Sequence, residues 1–332
     1  MLFILRGVGC AGILLSWLKY VFQHHSIMEM FTDSQADRLG FRVTDVRAVP
    51  GDSAFLIDDG KTSILCDSGF AFTGDAVAEN IRKALGDRKL DFILLTHSHY
   101  DHVLGVTYIL GHYPEAKVVA GSYAAEIFRR PSALKRMMDL DRKYAAESGI
   151  MDYEDRTDDL RVDIVVDDGD KVKCGDMEFT VVGLPGHTKC SIGFYLESKH
   201  MLIGTETLGV YFGDGHCMPA YLVGYDMTMK SFDRIRTFTI DSMLVPHYGF
   251  VDGDEARDVL DKNEGISRSV AKTILKMLRD GSSDEDIIEW YKREYYVGPV
   301  PSVYPIAAFN LNTGLMIDLI RKELLSSIEM II

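Results

Sequence analysis

The chain has 332 residues, 47% of them hydrophobic, and carries a net charge of −14 at pH 7. The hydrophobic fraction supplies the sizeable core of a globular protein. The excess of carboxylates argues against a nucleic-acid partner, because affinity for a phosphate backbone comes mostly from Lys and Arg. The five cysteines are irregularly spaced and include no Cys-x-x-Cys pair, which excludes a zinc ribbon and favours a reduced, cytoplasmic setting.

The N-terminal residues 1–22 are apolar, with an uncharged run at 7–18 that is flanked by one basic residue on each side. A membrane-spanning helix needs about 20 residues, so this run is too short unless both basic side chains reach the membrane surface. No small-residue cleavage site for a signal peptide follows. Two interpretations stay open, a membrane-associating helix and a natural start at Met28 or Met30. Residues 1–30 are therefore treated as a separate apolar segment.

From residue 41 the hydrophobic pattern predicts strands first and then strands that alternate with helices. Alternating apolar residues indicate half-buried strands, and apolar residues at helical spacing indicate amphipathic helices. The predicted strands of this half are 41–49, 53–57, 62–66, 90–95 and 117–120, and the predicted helices are 73–85, 103–110, 123–128 and 131–149.

A second β-rich half follows, and a helical C-terminal part ends the chain. Its predicted strands are 162–166, 176–182, 191–196, 201–204 and 242–245, and the predicted helices are 228–238, 267–278, 284–295 and 312–325. Strands followed by strand–helix units, twice over, fit an α+β sandwich of two mixed sheets with helices outside. The glycine-bounded segment 249–253 is the expected connection to the C-terminal helices.

Histidines and carboxylates gather directly after the strand predicted at 90–95. Three imidazoles and one carboxylate within six positions are costly in a folded core unless each finds a partner. A divalent metal supplies that partner, because imidazole and carboxylate are its usual ligands. Three further candidates lie downstream, and five of the chain's ten histidines take part. The candidate metal ligands are His97, His99, Asp101, His102, His187, Glu206 and His247.

The order of these residues resembles the metallo-β-lactamase superfamily. Residues 97–102 have the form His-x-His-x-Asp-His, and Pro185-Gly186-His187-Thr188 is similar to the superfamily's second histidine motif. Gly204-Thr205-Glu206-Thr207 and Val245-Pro246-His247 stand where its last two motifs are expected. The resemblance implies an αβ/βα four-layer sandwich of two mixed sheets flanked by helices, with all ligands in loops at one edge. It implies a catalytic domain at 31–252 and a C-terminal helical extension, 253–332, packed on the active-site side.

The resemblance also implies two divalent metal ions, zinc first, with iron or manganese as alternatives. One metal would be held by His97, His99 and His187, and the second by Asp101, His102 and His247. Glu206 takes the place of a bridging aspartate. Asp101 is the implied catalytic residue, which orients a metal-bound hydroxide and relays a proton to the leaving group.

Glu206 departs from the superfamily pattern, because it is one methylene longer than aspartate. This difference leaves the filling of the second metal site open, and Asp214 is the alternative carboxylate. Asp67 is similar to a position that orients a ligating histidine. His216 is a candidate pocket residue, and Cys190 is expected to be a buried apolar filler.

The sequence favours a metal-dependent hydrolase that cleaves a small acyl thioester, and esters and lactones are the next candidate substrates. Met218-Pro219-Ala220-Tyr221, together with the helical C-terminal part, resembles the acyl-coenzyme A thioesterase branch that acts on aromatic acyl groups. Two alternatives stay open: a mononuclear iron persulfide dioxygenase and a non-catalytic, metal-bound regulatory protein. A flavin-dependent diiron oxidoreductase is disfavoured, because such proteins usually have glutamate where this chain has His99.

Overall fold

In the described part of the chain, the first β-sheet has seven strands, which follow one another across the sheet in chain order. They are β1 Met28–Glu29, β2 Arg42–Asp45, β3 Phe55–Asp58, β4 Ser63–Cys66, β5 Phe92–Leu94, β6 Lys117–Gly121 and β7 Ile164–Val166. Strands β1 to β4 pair antiparallel, and β4 to β7 pair parallel. The computed structural model describes residues 28–29 and 32–325, so the interpretation of the apolar run at 7–18 lies outside the described residues.

The second sheet has six strands in the order β15-β14-β11-β10-β9-β8. The strands of the second half are β8 Lys171–Cys174, β9 Met177–Gly183, β10 Ile192–Leu196, β11 Met201–Ile203, β12 Val210–Tyr211, β13 Cys217–Met218, β14 Ser242–Val245 and β15 Gly249–Asp252. Strands β11 and β14 pair parallel, and the other neighbours pair antiparallel. Strands β12 and β13 form a separate hairpin.

Helices cover the outer faces of both sheets and form the C-terminal part. They are α1 Asp33–Leu39, α2 Gly74–Leu85, α3 Tyr100–Val103, α4 Val106–His112, α5 Ser122–Ile127, α6 Pro131–Glu147, α7 Tyr225–Ile235, α8 Asp254–Arg279, α9 Asp284–Tyr295, α10 Val300–Val303 and α11 Ile306–Ile320. Among the described residues, no helix combines the length and the apolar character that crossing a bilayer requires.

The sheets pack face to face, and the strand pleat explains why their strands are apolar on both sides. In β3, Phe55 and Ile57 point into the core between the sheets, whereas Leu56 points to the outer core under the helices. In β10, Phe194 lies between the sheets and Tyr195 lies under α7 and α8. The predicted four-layer αβ/βα sandwich with C-terminal helices is therefore confirmed.

Several predicted element boundaries are wrong, among them those of the segments 41–49, 249–253 and 267–278, and the helix predicted at 312–325 is α11, Ile306–Ile320. The strand predicted at 41–49 ends at Asp45, because the buried Asp52 carboxylate accepts hydrogen bonds from the backbone N–H groups of Ala48 and Val49 and curls the chain. The segment 249–253, expected as a connection, contains strand β15, whose Phe250 enters the core between the sheets. The helix predicted at 267–278 belongs to α8, which begins at Asp254.

Helix α6 carries a buried carboxylate, Asp141, that ties it to two other parts of the chain. One carboxylate oxygen accepts from the backbone N–H of Ala71 at 2.8 Å, and the other accepts from the Tyr153 hydroxyl at 2.6 Å. Burial raises the pKa of Asp141 from the usual 3.8 to about 6. The folded protein therefore binds this proton more tightly than the unfolded chain does.

We expect the contribution of Asp141 to stability to fall as the pH rises from about 4 to about 6, because the carboxyl ionises at lower pH in the unfolded chain. Asp141→Asn should flatten the pH dependence of the unfolding free energy in this window, as measured by urea denaturation. Asp139→Asn, an exposed change on the same helix, is the control. Parallel curves for the wild type and Asp141→Asn would contradict the prediction.

Candidate metal centre

The predicted ligands converge at one edge of the sandwich, where several strands end. His97 and His99 follow β5, and Asp101 and His102 lie in the first turn of α3. Strands β9, β11 and β14 run in one direction, because β10 is antiparallel to both β9 and β11 and because β11 and β14 are parallel. The loops after these three strands carry the remaining ligands. These are His187, Glu206 and His247.

Three histidines form the first group of candidate ligands. His97, His99 and His187 each place a ring nitrogen within 4.8 Å of the other two. The Nδ1 atom of His187 donates to the carbonyl oxygen of Ala220 at 2.8 Å. This bond turns Nε2 of His187 toward the group, where it lies 2.9 Å from Nδ1 of His99. A backbone carbonyl that fixes the free nitrogen of a histidine is a usual support of a metal ligand.

Asp101, His102 and His247 form the second group. Nδ1 of His102 donates to the Asp67 carboxylate at 2.7 Å, and Nδ1 of His247 donates to the carbonyl oxygen of Asp52 at 3.2 Å. The Nε2 atoms of the two rings face each other at 3.2 Å. One Asp101 oxygen lies 3.8 Å and 3.7 Å from these two nitrogens. The inward nitrogens and the carboxylate leave a position for one cation.

Glu206 lies between the two groups and contacts both. Its Oε1 atom is 2.7 Å from Nε2 of His102 and 3.0 Å from Nε2 of His247, and its Oε2 atom is 3.5 Å from Nδ1 of His97. Within the part of the chain that the structure describes, Oε1 of Glu206 and Nε2 of His97 are nonetheless buried without a partner in hydrogen-bond geometry. Such atoms are rare in folded proteins, and a divalent cation suits both. The donor set therefore fits metal ions on both sides of Glu206.

The pKa shifts of the three histidines in the first group suit metal binding, whereas those of Glu206 and His102 reflect the pairing of these two side chains with each other. Burial lowers the pKa of His97 and His99 well below 6.5 and lowers that of His187, so the first group consists of neutral imidazoles. Burial alone would raise the pKa of Glu206, but the facing rings of His102 and His97 hold it well below its usual value. Burial would likewise lower the pKa of His102, but the carboxylates of Glu206 and Asp67 hold it well above 6.5.

Two residues that support the site have left-handed backbone conformations, which are uncommon outside glycine. Asp67 has φ 55°, and its carboxylate accepts from Ser53 and Thr96 in addition to His102. His247 has φ 61°, and its carbonyl oxygen accepts a hydrogen bond from Arg47. Strained backbone of this kind persists where the surroundings fix it, as at binding sites.

The structure brings all seven predicted ligands together and separates them from the other candidates. Asp214 is exposed in the turn between β12 and β13, so the buried Glu206 is the better candidate for the bridging carboxylate. His216 packs against Gly298. Cys190 is buried and forms hydrogen bonds with Ser98 and Thr188, and it belongs to neither ligand group. The assignment of individual ligands stays a prediction.

Sequence patterns missed the two backbone carbonyls that orient His187 and His247, those of Ala220 and Asp52. No residue type signals such a role, because every residue has a carbonyl group. Tyr304, which lines a cavity together with Met218 and Ala220, was also missed. Burial raises its pKa, and the carboxylates of Asp101 and Glu206 raise it further.

Curated proteins related to this chain include hydrolases. Residues of the chain are 31% identical over 135 residues to a hydroxyacylglutathione hydrolase of Aeromonas hydrophila, and 27% identical over 127 residues to glyoxylase B2 of Dictyostelium discoideum. The alignments cover 41% and 38% of this chain. They span only 40% and 39% of the relatives' own lengths.

Solved structures show the same fold at low sequence identity. A metallo-beta-lactamase family protein of Thermus thermophilus has a TM-score of 0.54 and 18% identity, covering 85% of this chain and 88% of that one. An archaeal superfamily protein of Sulfolobus tokodaii has a TM-score of 0.53 and 18% identity, covering 83% and 94%. The family model described as "Metallo-beta-lactamase superfamily" matches residues 49–244, more than half of the sequence. The chain therefore belongs to the metallo-beta-lactamase superfamily.

Proposed function

We propose that this protein is a metal-dependent hydrolase of small acyl thioesters, with esters and lactones as related substrates. The observation that carries the proposal is the convergence of two ligand groups on the buried carboxylate of Glu206. The related hydroxyacylglutathione hydrolases, whose name describes a thioester substrate, support the choice of substrate class. The net charge of −14 supports a small molecule over nucleic acid.

We infer that His97, His99 and His187 hold one zinc ion, that Asp101, His102 and His247 hold a second, and that Glu206 contacts both. Nitrogen and oxygen ligands without thiolate also accept iron or manganese, so zinc is the first choice on availability. When bound, such ions lower the pKa of a water molecule toward neutrality and polarise a carbonyl oxygen. A serine or cysteine nucleophile is then unnecessary.

Asp101 is the ligand candidate best placed to move a proton. Its side chain is 22% exposed, whereas those of His102 and Glu206 are 1% and 4% exposed. It therefore lies at the open side of the site, where a substrate enters. The carboxylate takes a proton from the attacking water and passes it to the leaving group. A thiolate leaves readily without that proton, which makes a thioester the least demanding substrate.

Asp101→Asn tests this role. We expect turnover of an alkyl ester to fall by about 10²–10⁴, the range typical of a positioned acid–base group. Turnover of a matched thioester should fall less, because a thiolate needs less protonation, and the metal held by His97, His99 and His187 should remain. Steady-state kinetics on both substrates and metal analysis measure these outcomes. Equal, near-normal turnover of both would assign the proton transfer to another group.

The function itself is tested with purified protein loaded with zinc, manganese or iron. The substrates are a hydroxyacylglutathione thioester, an acyl-coenzyme A thioester, a p-nitrophenyl ester and a lactone. We expect about two metals per chain and the highest kcat/KM with a thioester. One iron per chain with persulfide oxidation would favour the dioxygenase. Two metals without turnover of any substrate would favour the regulatory protein.

A further inference from the structure

The chain between α9 and α11, residues 296–305, lies beside the candidate metal centre and is held from two sides. On one side, the carbonyl oxygen of Val303 is 3.3 Å from the position that a Cβ atom would take at Gly51. The next residue, Asp52, provides the carbonyl that orients His247. We call residues 296–305 the strap.

On its other side, the strap lines a cavity together with the loop that supports the first ligand group. Tyr304 lines a small cavity together with Met218 and Ala220, and the carbonyl of Ala220 orients His187. The strap thus reaches the supports of one histidine from each ligand group. Its own shape is fixed by the Tyr296 hydroxyl, which donates to the carbonyl oxygen of Tyr304 at 2.9 Å.

The hydroxyl of Tyr304 is oriented but keeps its proton available. The side-chain amide of Asn312, in α11, donates a hydrogen bond to the Tyr304 oxygen. Among the described residues, that hydroxyl donates to no acceptor. Burial and the nearby carboxylates of Asp101 and Glu206 raise the pKa of Tyr304, so the phenol stays protonated. A phenol whose oxygen already accepts one hydrogen bond can still donate its own proton to an incoming acceptor.

We propose that Tyr304 is a catalytic residue whose hydroxyl donates a hydrogen bond to the thioester carbonyl oxygen as that oxygen becomes an oxyanion, and that Asn312 positions it. This inference rests on the proposed function. Water oxygen bonds to the carbonyl carbon while Asp101 takes the water proton, and the π electrons move to the carbonyl oxygen, to which Tyr304 would donate. The electron pair on that oxygen then re-forms the C=O bond, the C–S bond breaks and the thiolate leaves with its electron pair, while Tyr304 keeps its proton throughout. A preorganised donor at this position stabilises the transition state more than the substrate.

Tyr291 provides a matched control in the same cavity. Its ring stacks on Phe309 with centroids 5.1 Å apart, as a neighbour of Tyr304 in the cavity lining. Its hydroxyl is buried and has no hydrogen-bond partner among residues 28–29 and 32–325. Replacing an unpartnered buried hydroxyl by hydrogen costs little and can stabilise a protein. Tyr291→Phe therefore removes a hydroxyl from the cavity without removing the proposed oxyanion donor.

The experiment compares the metal-loaded wild type with Tyr304→Phe, Asn312→Ala and Tyr291→Phe. We expect Tyr304→Phe to lower kcat for the thioester by about 10²–10³, as for loss of one oxyanion donor, with KM changed by less than about threefold. Asn312→Ala should lower kcat less, and Tyr291→Phe should match the wild type. Metal content should be the same in all four proteins.

Binding measurements give a second readout. Calorimetry compares a phosphonate, which mimics the tetrahedral oxyanion, with a thioether analogue that lacks the carbonyl oxygen. Tyr304→Phe should weaken the phosphonate at least tenfold and leave the thioether unchanged. Equal weakening of both analogues, or a loss of metal, would assign Tyr304 a structural role and overturn the inference. If Tyr304→Phe does not fold, an Asn312→Ala protein with wild-type kcat and phosphonate affinity overturns it as well.

The wild-type result separates this inference from the function on which it rests. Hydrolysis of thioesters by the wild type together with an unchanged kcat in Tyr304→Phe leaves the proposed function standing and removes Tyr304 from the reaction. If the wild type hydrolyses none of the thioesters, that result contradicts the proposed function itself, whatever the Tyr304→Phe variant does.

Discussion

Replacing His99 by alanine should empty the first metal position and reduce turnover to background. Nδ1 of His99 faces Nε2 of His187 at 2.9 Å, and burial holds the pKa values of His99 and His97 well below 6.5. Loss of residues that only orient a ligand typically costs about 10–100-fold in metal affinity, so loss of a direct ligand should cost more. Metal analysis after dialysis, together with thioester turnover, measures the effect.

His112→Ala is the matched control for this variant. His112 is an exposed histidine at the end of α4, 3.4 Å from the carboxylate of Asp75. It should keep wild-type metal content and turnover. If His99→Ala also retained its full metal content, His99 would not be a ligand.

The second large effect is expected at Glu206. Its carboxylate contacts His102, His247 and His97, so Glu206→Gln removes the negative charge that the two metals would share. We expect the second metal to be lost far more readily than the first, because three histidines still hold the first. Turnover should fall along with the second metal. Stepwise removal by a chelator, followed by metal analysis, measures the two affinities separately.

The shorter variant Glu206→Asp distinguishes side-chain length from charge. The sequence alone favours retention of both metals, because aspartate is usual at this position in the superfamily. The structure changes that expectation, because the Glu206–Leu208 turn is held in place from outside. The backbone N–H of His187 donates to Thr207 at 3.1 Å, and a Cβ atom on Gly209 would lie 2.4 Å from Asn263. A shorter carboxylate should therefore bind the second metal less well than glutamate and better than glutamine.

Asp214→Asn serves as the control for both Glu206 variants, since Asp214 is exposed in the hairpin turn. It should leave the metal content unchanged. Unchanged stoichiometry in Glu206→Gln would instead place Glu206 outside the ligand set, and a single metal would then have to support the chemistry.

The sandwich was predictable from the sequence because its strands are short apolar runs separated by clear turn residues. The ligand positions were also predictable. Burial of histidines and carboxylates such as His97 and Glu206 costs free energy unless each has a partner, so a cluster of them indicates a binding site. Strand β15 was not predictable, because its pairing with β14 depends on a partner and Gly249 resembles a turn residue. The periodicity of a sequence does not reveal an element that forms only through tertiary contacts.

The surroundings of the ligands were not predictable for a different reason. The carbonyl groups of Asp52 and Ala220 orient histidines that are 195 and 33 positions away in the chain. Tyr304 lines a cavity with Ala220 because of the packing of α9 and α11, which no local pattern reveals. The Asp141 carboxylate likewise gains its raised pKa only when α6 is packed against Ala71.

The position of the strap in the sequence has a consequence for the order of events during synthesis. Every predicted ligand has left the ribosome once residue 247 has emerged, whereas Tyr304 and Asn312 follow more than fifty residues later. The contact between Val303 and Gly51 is therefore among the last to form, because it joins segments about 250 positions apart. A nascent chain therefore presents all the candidate ligands while that side of the site is still open. The strap, with the residue proposed to act on the substrate, is added only when the C-terminal helices are complete.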